Sequence, residues 1–248
     1  IRDRPLSRGL GDVYQRQGRE RGYHGMNIGC ISVGGMINNV KTFASVLMPG
    51  VQHMRHTHLP EHKFVSGQPE TGADRADDLE RIAMNFGPEN IAACIVEPIA
   101  GSTGTLVPPK GYLQKLRETC DKHGILLIFD EVITGWGRTG SSFASIEYGV
   151  TPDIMTMAKA TTNGVVPMGV VACKDEIYDS VMDASPMGSV ELFHGYTYSG
   201  IPVSVAAGLA VQDIFEKEDI FNRAKNLAPY FQEGLMSLKD IDVVDNIR

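Results

Sequence analysis

Long hydrophobic runs are missing from this sequence. No apolar stretch approaches the roughly 18 residues that a membrane-spanning helix requires, which argues against a helical membrane protein. Positive charge is also in short supply. With 23 Lys and Arg against 30 Asp and Glu the net charge is −7, a balance that gives no support to binding nucleic acid or an anionic membrane surface. Cysteine is sparse as well, four in 248 residues, and none of Cys30, Cys94, Cys120 and Cys173 stands in a CxxC pair. Cys94 lies inside an apolar run and Cys173 ends one, so buried thiols in a reducing, cytoplasmic compartment are expected rather than disulfides. Residues 1–17 are Arg-rich without an apolar core, unlike a secretory signal, and their two Asp residues speak against a transit peptide.

What is present is the alternation of an α/β protein. A hydrophobic content of 42% suffices for a sizeable core. The run Ile125-Leu126-Leu127-Ile128-Phe129 reads as a central parallel strand buried on both faces, and it stops abruptly at Asp130-Glu131. A Gly-rich turn follows, from Thr134 to Gly140. Ile91 to Val96 is a second such strand, ending in Glu97-Pro98, and Gly111 to His123 between the two reads as an amphipathic helix. The three form a βαβ unit. Beyond them, Ile154 to Ala158 leads to Lys159 after about the length of one crossover. Ligands of open α/β sheets bind outside the carboxyl ends of the strands, so Asp130 and Lys159 stand where a site belongs.

The remaining elements are read more briefly. Helices are expected over 35–45, 77–86, 174–184, 202–216 and 220–238, with Pro186-Met187-Gly188 as a breaker, Pro202 opening one helix and Asp219 capping the last. Short strands are expected over 51–54 and 165–173, and Ile241 to Ile247 reads as a strand just starting. Glycines flank Tyr23-His24, suggesting a turn that presents a ring and an imidazole. His53, His56, His58 and His62 cluster in sequence, but Pro60 and the lack of a nearby cysteine favour loop histidines over a metal site.

A lysine at one strand end, an acid at its neighbour and hydroxyl-rich glycine loops suit pyridoxal 5′-phosphate (PLP). That cofactor needs an amine for a Schiff base and a carboxylate against its pyridine nitrogen. Every α/β protein has such pairs, so spacing alone leaves a solvated lysine as the plainer reading. Six motifs in order change this: Gly22-Tyr23-His24-Gly25, Val96-Glu97-Pro98, Phe129-Asp130-Glu131-Val132, Gly135-Trp136-Gly137-Arg138-Thr139-Gly140, Met157-Ala158-Lys159-Ala160 and His194-Gly195-Tyr196-Thr197-Tyr198-Ser199. Together they resemble the class III PLP-dependent aminotransferases, and most closely the branch acting on β-alanine or other ω-amino acids with pyruvate.

The resemblance implies a mainly parallel α/β sheet flanked by helices, the large domain of a fold-type I aminotransferase. It implies Lys159 as the residue that binds the cofactor and shuttles the proton, with Asp130 at the pyridinium nitrogen. Val132 and Tyr23 would lie on the two ring faces, His24 beside Tyr23 and Glu97 behind them. Thr197 would reach the phosphate of a neighbouring subunit's cofactor, making a homodimer with shared sites. The amino donor and keto acid would be the small-molecule partners. Ile133 stands where several relatives have Gln, which removes one hydrogen bond to the cofactor. By the same resemblance residues 18–238 are the PLP-binding domain, incomplete at its N-terminus. Residues 1–17 have no counterpart, and 239–248 begin a truncated C-terminal domain that would carry the substrate-gripping arginine. A PLP-dependent aminomutase of the same fold, and an inactive fragment lacking part of the site, stay open as alternatives.

Overall fold

The computed structural model describes residues 15–185, 192 and 194–248. Residues 1–14 and the expected breaker Pro186-Met187-Gly188 lie outside that set. The described residues form a six-stranded sheet of order β2-β1-β3-β4-β5-β6. Its strands are β1 (Gln15–Arg19), β2 (Val51–Met54), β3 (Ile91–Val96), β4 (Leu126–Asp130), β5 (Ile154–Met157) and β6 (Val170–Cys173). All neighbours pair parallel except β5 and β6. The helices are α1 (Ile28–Val33), α2 (Ile37–Thr42), α3 (Asp77–Phe86), α4 (Tyr112–His123), the single turn α5 (Ala144–Glu147), α6 (Asp175–Asp183), α7 (Pro202–Lys217) and α8 (Ile220–Met236).

The main core lies under one face of the sheet. Cys94 and Val96 of β3 and Leu127 and Phe129 of β4 pack against Leu79 and Ile82 of α3 and Leu113, Leu116 and Cys120 of α4. These helix positions recur at i, i+3 and i+4, so each helix turns one apolar stripe inward. Gly124 ends α4 in the left-handed conformation, its N–H donating to Cys120 and Asp121 carbonyls, and lets the chain reverse directly into β4. Along β4 the residues alternate. Leu127 and Phe129 are fully buried, whereas Leu126 and Ile128 are half-buried, because the described residues cover the second face incompletely. A uniform apolar run predicts equal burial of both faces, and the structure departs from it.

Four further expectations need correction. Residues 35–45 are not one helix. α2 covers only Ile37–Thr42, ends at Phe43 (φ −110°, ψ 16°), and a 3₁₀ turn over Ala44–Val46 follows. Asp219 does not cap α8 through a backbone N–H. It sits in the left-handed region (φ 48°), and its carboxylate accepts from the Asn222 side chain at 2.8 Å. Residues 241–247 form no strand and lie instead beside the histidine loop, through Lys63 to Asp245 at 2.6 Å and Asn246 to His58 at 3.3 Å. Cys173 is exposed rather than buried, on the edge strand β6.

β1 has no counterpart in the apolar pattern, and the boundary drawn at residue 17 falls inside it. Its sequence is Gln-Arg-Gln-Gly-Arg, yet Gln17 and Arg19 are among the most deeply buried side chains described. Polar groups reach such a position only when they find partners. Gln17 Oε1 accepts the Gln52 N–H at 3.0 Å, and Arg19 donates to the Glu97 carbonyl at 2.9 Å while standing 5.8 Å above the Tyr112 ring centre. Gly18 has no room for a side chain, because a Cβ there would overlap the Val33 carbonyl.

Candidate active site

The carboxyl ends of β1, β3, β4 and β5 gather most of the residues singled out from the sequence. β1 leads to the Tyr23-His24 turn, which residues 33–35 hold from behind: Arg21 N–H donates to the Gly35 carbonyl and Gly35 N–H to the Gly22 carbonyl, both at 2.8 Å. Glu97, at the end of β3, faces the same turn. Its carboxylate accepts the Tyr23 N–H at 2.7 Å and the Gly101 N–H at 3.0 Å. Burial pushes the Glu97 carboxyl above its ordinary range, against the pull of the Tyr23 N–H, the nearby His24 and Arg19, and the Gly101 N–H. Glu97 therefore ties two loops together.

Asp130 ends β4 at 6% exposure. Its Oδ2 lies 2.8 Å from His24 Nδ1, and its Oδ1 accepts the Val132 N–H at 3.1 Å. The His24 side chain is itself almost fully buried, and its Nε2 has no protein partner. An ionised carboxylate offers about four acceptor positions, so the two bonds leave capacity for a further donor. A pocket of about 500 Å³ runs along the half-covered sheet face, past Ala93, Ile95, Ile128 and Thr156, and reaches His24, Asp130 and Val132. Tyr23, Glu97, Lys159 and Thr197 are not part of its wall.

Lys159 follows β5. Thr156 pairs with Asp130 across the sheet, which places the lysine three residues beyond the acid's own register partner. It is exposed and begins a short 3₁₀ turn (Lys159–Thr161) with φ 45°, a left-handed conformation that non-glycine residues seldom adopt. Thr197 lies on an exposed turn in which the His194 and Tyr196 rings meet, tilted by 33°, at 4.5 Å. Nothing else in the described site approaches it by hydrogen bond. Ile133 packs on the glycine loop after β3, close enough that a Cβ on Gly101 would meet its side chain at 2.6 Å.

Glu131, which no sequence pattern singles out, has a structural role. The side chain is completely buried. It accepts from Thr134 Oγ1 at 2.9 Å and from the backbone N–H groups of Ala144 and Ser145 at 2.7 and 2.8 Å. This carboxylate folds the Gly-rich turn back on itself. The sequence histidines are engaged elsewhere: His53 with the Gly34 carbonyl at 2.9 Å, His62 with Thr71 at 3.3 Å.

Comparison with known proteins bears on the same elements. The family model for class III aminotransferases matches residues 19–248. This chain belongs to the class III aminotransferases. Members of that family depend on PLP. Among curated relatives, the omega-aminotransferase of Caulobacter vibrioides is 54% identical over 98% of this chain and 55% of its own length. The beta-alanine–pyruvate aminotransferase of Pseudomonas aeruginosa is 48% identical over 93% of this chain and 52% of its own. Among solved structures, a transaminase with L-alanine superposes with a TM-score of 0.87 at 33% identity, covering 96% of this chain and 56% of that one. A thermostable (S)-enantioselective omega-transaminase from Thermomicrobium roseum gives a TM-score of 0.85 at 37% identity, over 96% and 52%. The fold is thus that of the fold-type I transaminases. The chain spans about half the length of the curated relatives it matches.

Proposed function

We propose that this protein transfers an amino group from an ω-amino acid such as β-alanine, or an amine, to a keto acid such as pyruvate, using PLP. The observation that carries the reading is the buried Asp130 carboxylate, held by His24 at 2.8 Å at the end of β4, with Lys159 just beyond the neighbouring strand position. Identity of 48–54% to an omega-aminotransferase and two ω-amino acid–pyruvate aminotransferases supports the substrate class. Residues 18–238 are taken as the cofactor-binding domain.

The donor set fits the cofactor. Asp130 retains free acceptor capacity for a protonated ring nitrogen, and a charge so little exposed acts at low dielectric, where its effect is large. When bound, PLP supplies an electron sink that stabilises negative charge on the substrate carbon. Everything else is done by the chain. Lys159 Nζ would be the amine that holds the cofactor and, when free, the base that takes a proton from the donor's amine-bearing carbon and the acid that gives it back. Asp130 keeps the ring nitrogen protonated, and His24 keeps Asp130 in place. Val132 and Tyr23 would bound the ring faces, and Glu97 fixes the Tyr23 turn through its N–H. Thr197, exposed on its turn, contributes to the phosphate site of a second copy, so the working unit is a homodimer. Among the described residues no helix is long and apolar enough to cross a membrane, and a cytoplasmic location is part of the proposal.

The test is direct. PLP added to the purified protein should give the visible absorption band of a lysine-bound cofactor, and Lys159→Ala should abolish it. β-Alanine should then bleach the band and pyruvate restore it. A protein that binds PLP but transfers no amino group between these substrates would refute the proposed activity.

A further inference from the structure

We infer that Trp136, through Thr161, is a positioning residue for Lys159; the inference rests on the function proposed above. Trp136 is the single tryptophan of the sequence, and it sits in the Gly-rich turn after β4 with φ 60°. Its indole Nε1–H donates to Thr161 Oγ1 at 3.0 Å. The Thr161 hydroxyl in turn donates to the Ala158 carbonyl at 3.0 Å, the carbonyl immediately before Lys159. The Thr161 N–H reaches the same carbonyl at 3.0 Å. A donor, a relay and an acceptor thus close around the one turn that carries the lysine.

Both ends of this relay are anchored. Glu131 holds the Trp136 turn by its three buried hydrogen bonds, and its own N–H donates to the Thr156 carbonyl of β5 at 2.9 Å. The Trp136 N–H closes the turn on the Ser142 carbonyl at 2.6 Å. The indole packs on Phe143 at 4.9 Å and on Phe215 of α7 at 6.1 Å. α7 also lies under the lysine's turn, where Gly208 comes within 3.6 Å of the Thr161 carbonyl when a Cβ is placed on it. Thr161 is only 5% exposed.

Two left-handed non-glycine residues, Trp136 and Lys159, stand at the two ends of one hydrogen-bonded link. Such conformations persist only where surrounding structure over-determines them. Here the surroundings are explicit. Without the indole N–H, the Thr161 hydroxyl loses one partner and the lysine's turn loses its hydrogen bond to the Gly-rich turn, so Lys159 is freer to leave its left-handed conformation.

Trp136→Phe keeps an aromatic ring near Phe143 and Phe215 but removes the N–H together with part of the indole's bulk, so Thr161→Val is the cleaner test of the hydrogen bond. Thr161→Val removes the hydroxyl at nearly constant volume, and Thr161→Ser keeps it. In the PLP-free protein, Trp136→Phe should speed hydrogen exchange at the Thr161 and Thr162 amides while leaving the amides of β4 unchanged. In PLP titrations followed by the visible band, Trp136→Phe and Thr161→Val should each weaken cofactor binding about tenfold, roughly the worth of one buried hydrogen bond. The double variant should be no weaker than either single one, and Thr161→Ser should restore wild-type binding. Wild-type exchange at Thr161 and Thr162 in Trp136→Phe would overturn the inference. So would a band that is lost in Lys159→Ala but keeps wild-type PLP affinity in Trp136→Phe and Thr161→Val. A wild-type protein with no band at all would overturn the proposed function, and this inference with it.

Discussion

Asp130 ends one strand and Lys159 follows its neighbour in the same sheet, yet the first is 6% exposed and held by two hydrogen bonds, whereas the second is exposed and stands in a left-handed turn. The difference matches the tasks proposed for them. An acid that pairs with a ring nitrogen must keep its position throughout, and the contacts with His24 and the Val132 N–H hold it there. An amine that leaves the cofactor and carries a proton must move, so its side chain stays free and only its backbone is fixed. Rigidity is thus placed in the side chain at β4 and in the main chain at β5.

Several substitutions would break or sharpen this contrast. The largest effect belongs to Lys159→Ala, which should lower amino transfer by at least about 1000-fold while leaving the melting temperature within a degree or two, because an exposed side chain contributes little packing. Steady-state rates and calorimetry on one preparation test both halves. Asp130→Asn should cost about 100-fold in rate and should also lower stability, since it replaces one partner of the buried His24 contact. An Asp130→Asn variant as stable as the parent would show that the acid is not fixed in the way described. Glu131→Gln should barely alter the chemistry directly but should destabilise the protein by about 3 kcal/mol. Its amide would point a donor at one of the N–H groups the carboxylate now satisfies, and denaturant unfolding would measure the loss.

The smallest effect is one of pH. Asp153 is drawn in two directions: burial pushes its carboxyl up, and the Lys174 ammonium, the Leu127 N–H and Arg117 together outweigh this and hold it below the ordinary range. A group with a depressed folded-state value stabilises the fold above its unfolded value, about pH 3.9, and that contribution is lost as pH falls through the folded value. Asp153→Asn should therefore lower stability at neutral pH and flatten the acid limb of the stability curve. Unfolding measured from pH 7 down to pH 3 would check this, and an unchanged slope would exclude Asp153 as a contributor.

How much of this was legible in the sequence depends on the kind of signal each residue leaves. β3, α3 and α4, and the strand ends carrying Glu97, Asp130 and Lys159 were readable, because apolar periodicity and an abrupt stop mark them. The register that sets Asp130 opposite Thr156 was not. β1 was invisible, because Gln17 and Arg19 are buried by hydrogen bonds and a ring contact rather than by hydropathy. Glu131 was equally hidden. Two of its three partners are backbone N–H groups 13 and 14 residues further on, and an amide has no residue type to read. The Trp136–Thr161 bond joins two motifs noted separately, and only the folded chain shows that one donates to the other. Residues 241–247 failed as a strand for the opposite reason. The apolar content was present, but among the described residues no strand lies beside them to form a ladder.

The central claim is that Lys159 is the amine that holds the cofactor. Borohydride reduction of the protein equilibrated with PLP, followed by peptide mass spectrometry, reads this position directly. The account predicts one reduced phosphopyridoxyl group, on the peptide containing Lys159, and none in Lys159→Ala. A stoichiometric label on another lysine, with Lys159 unmodified, would contradict it.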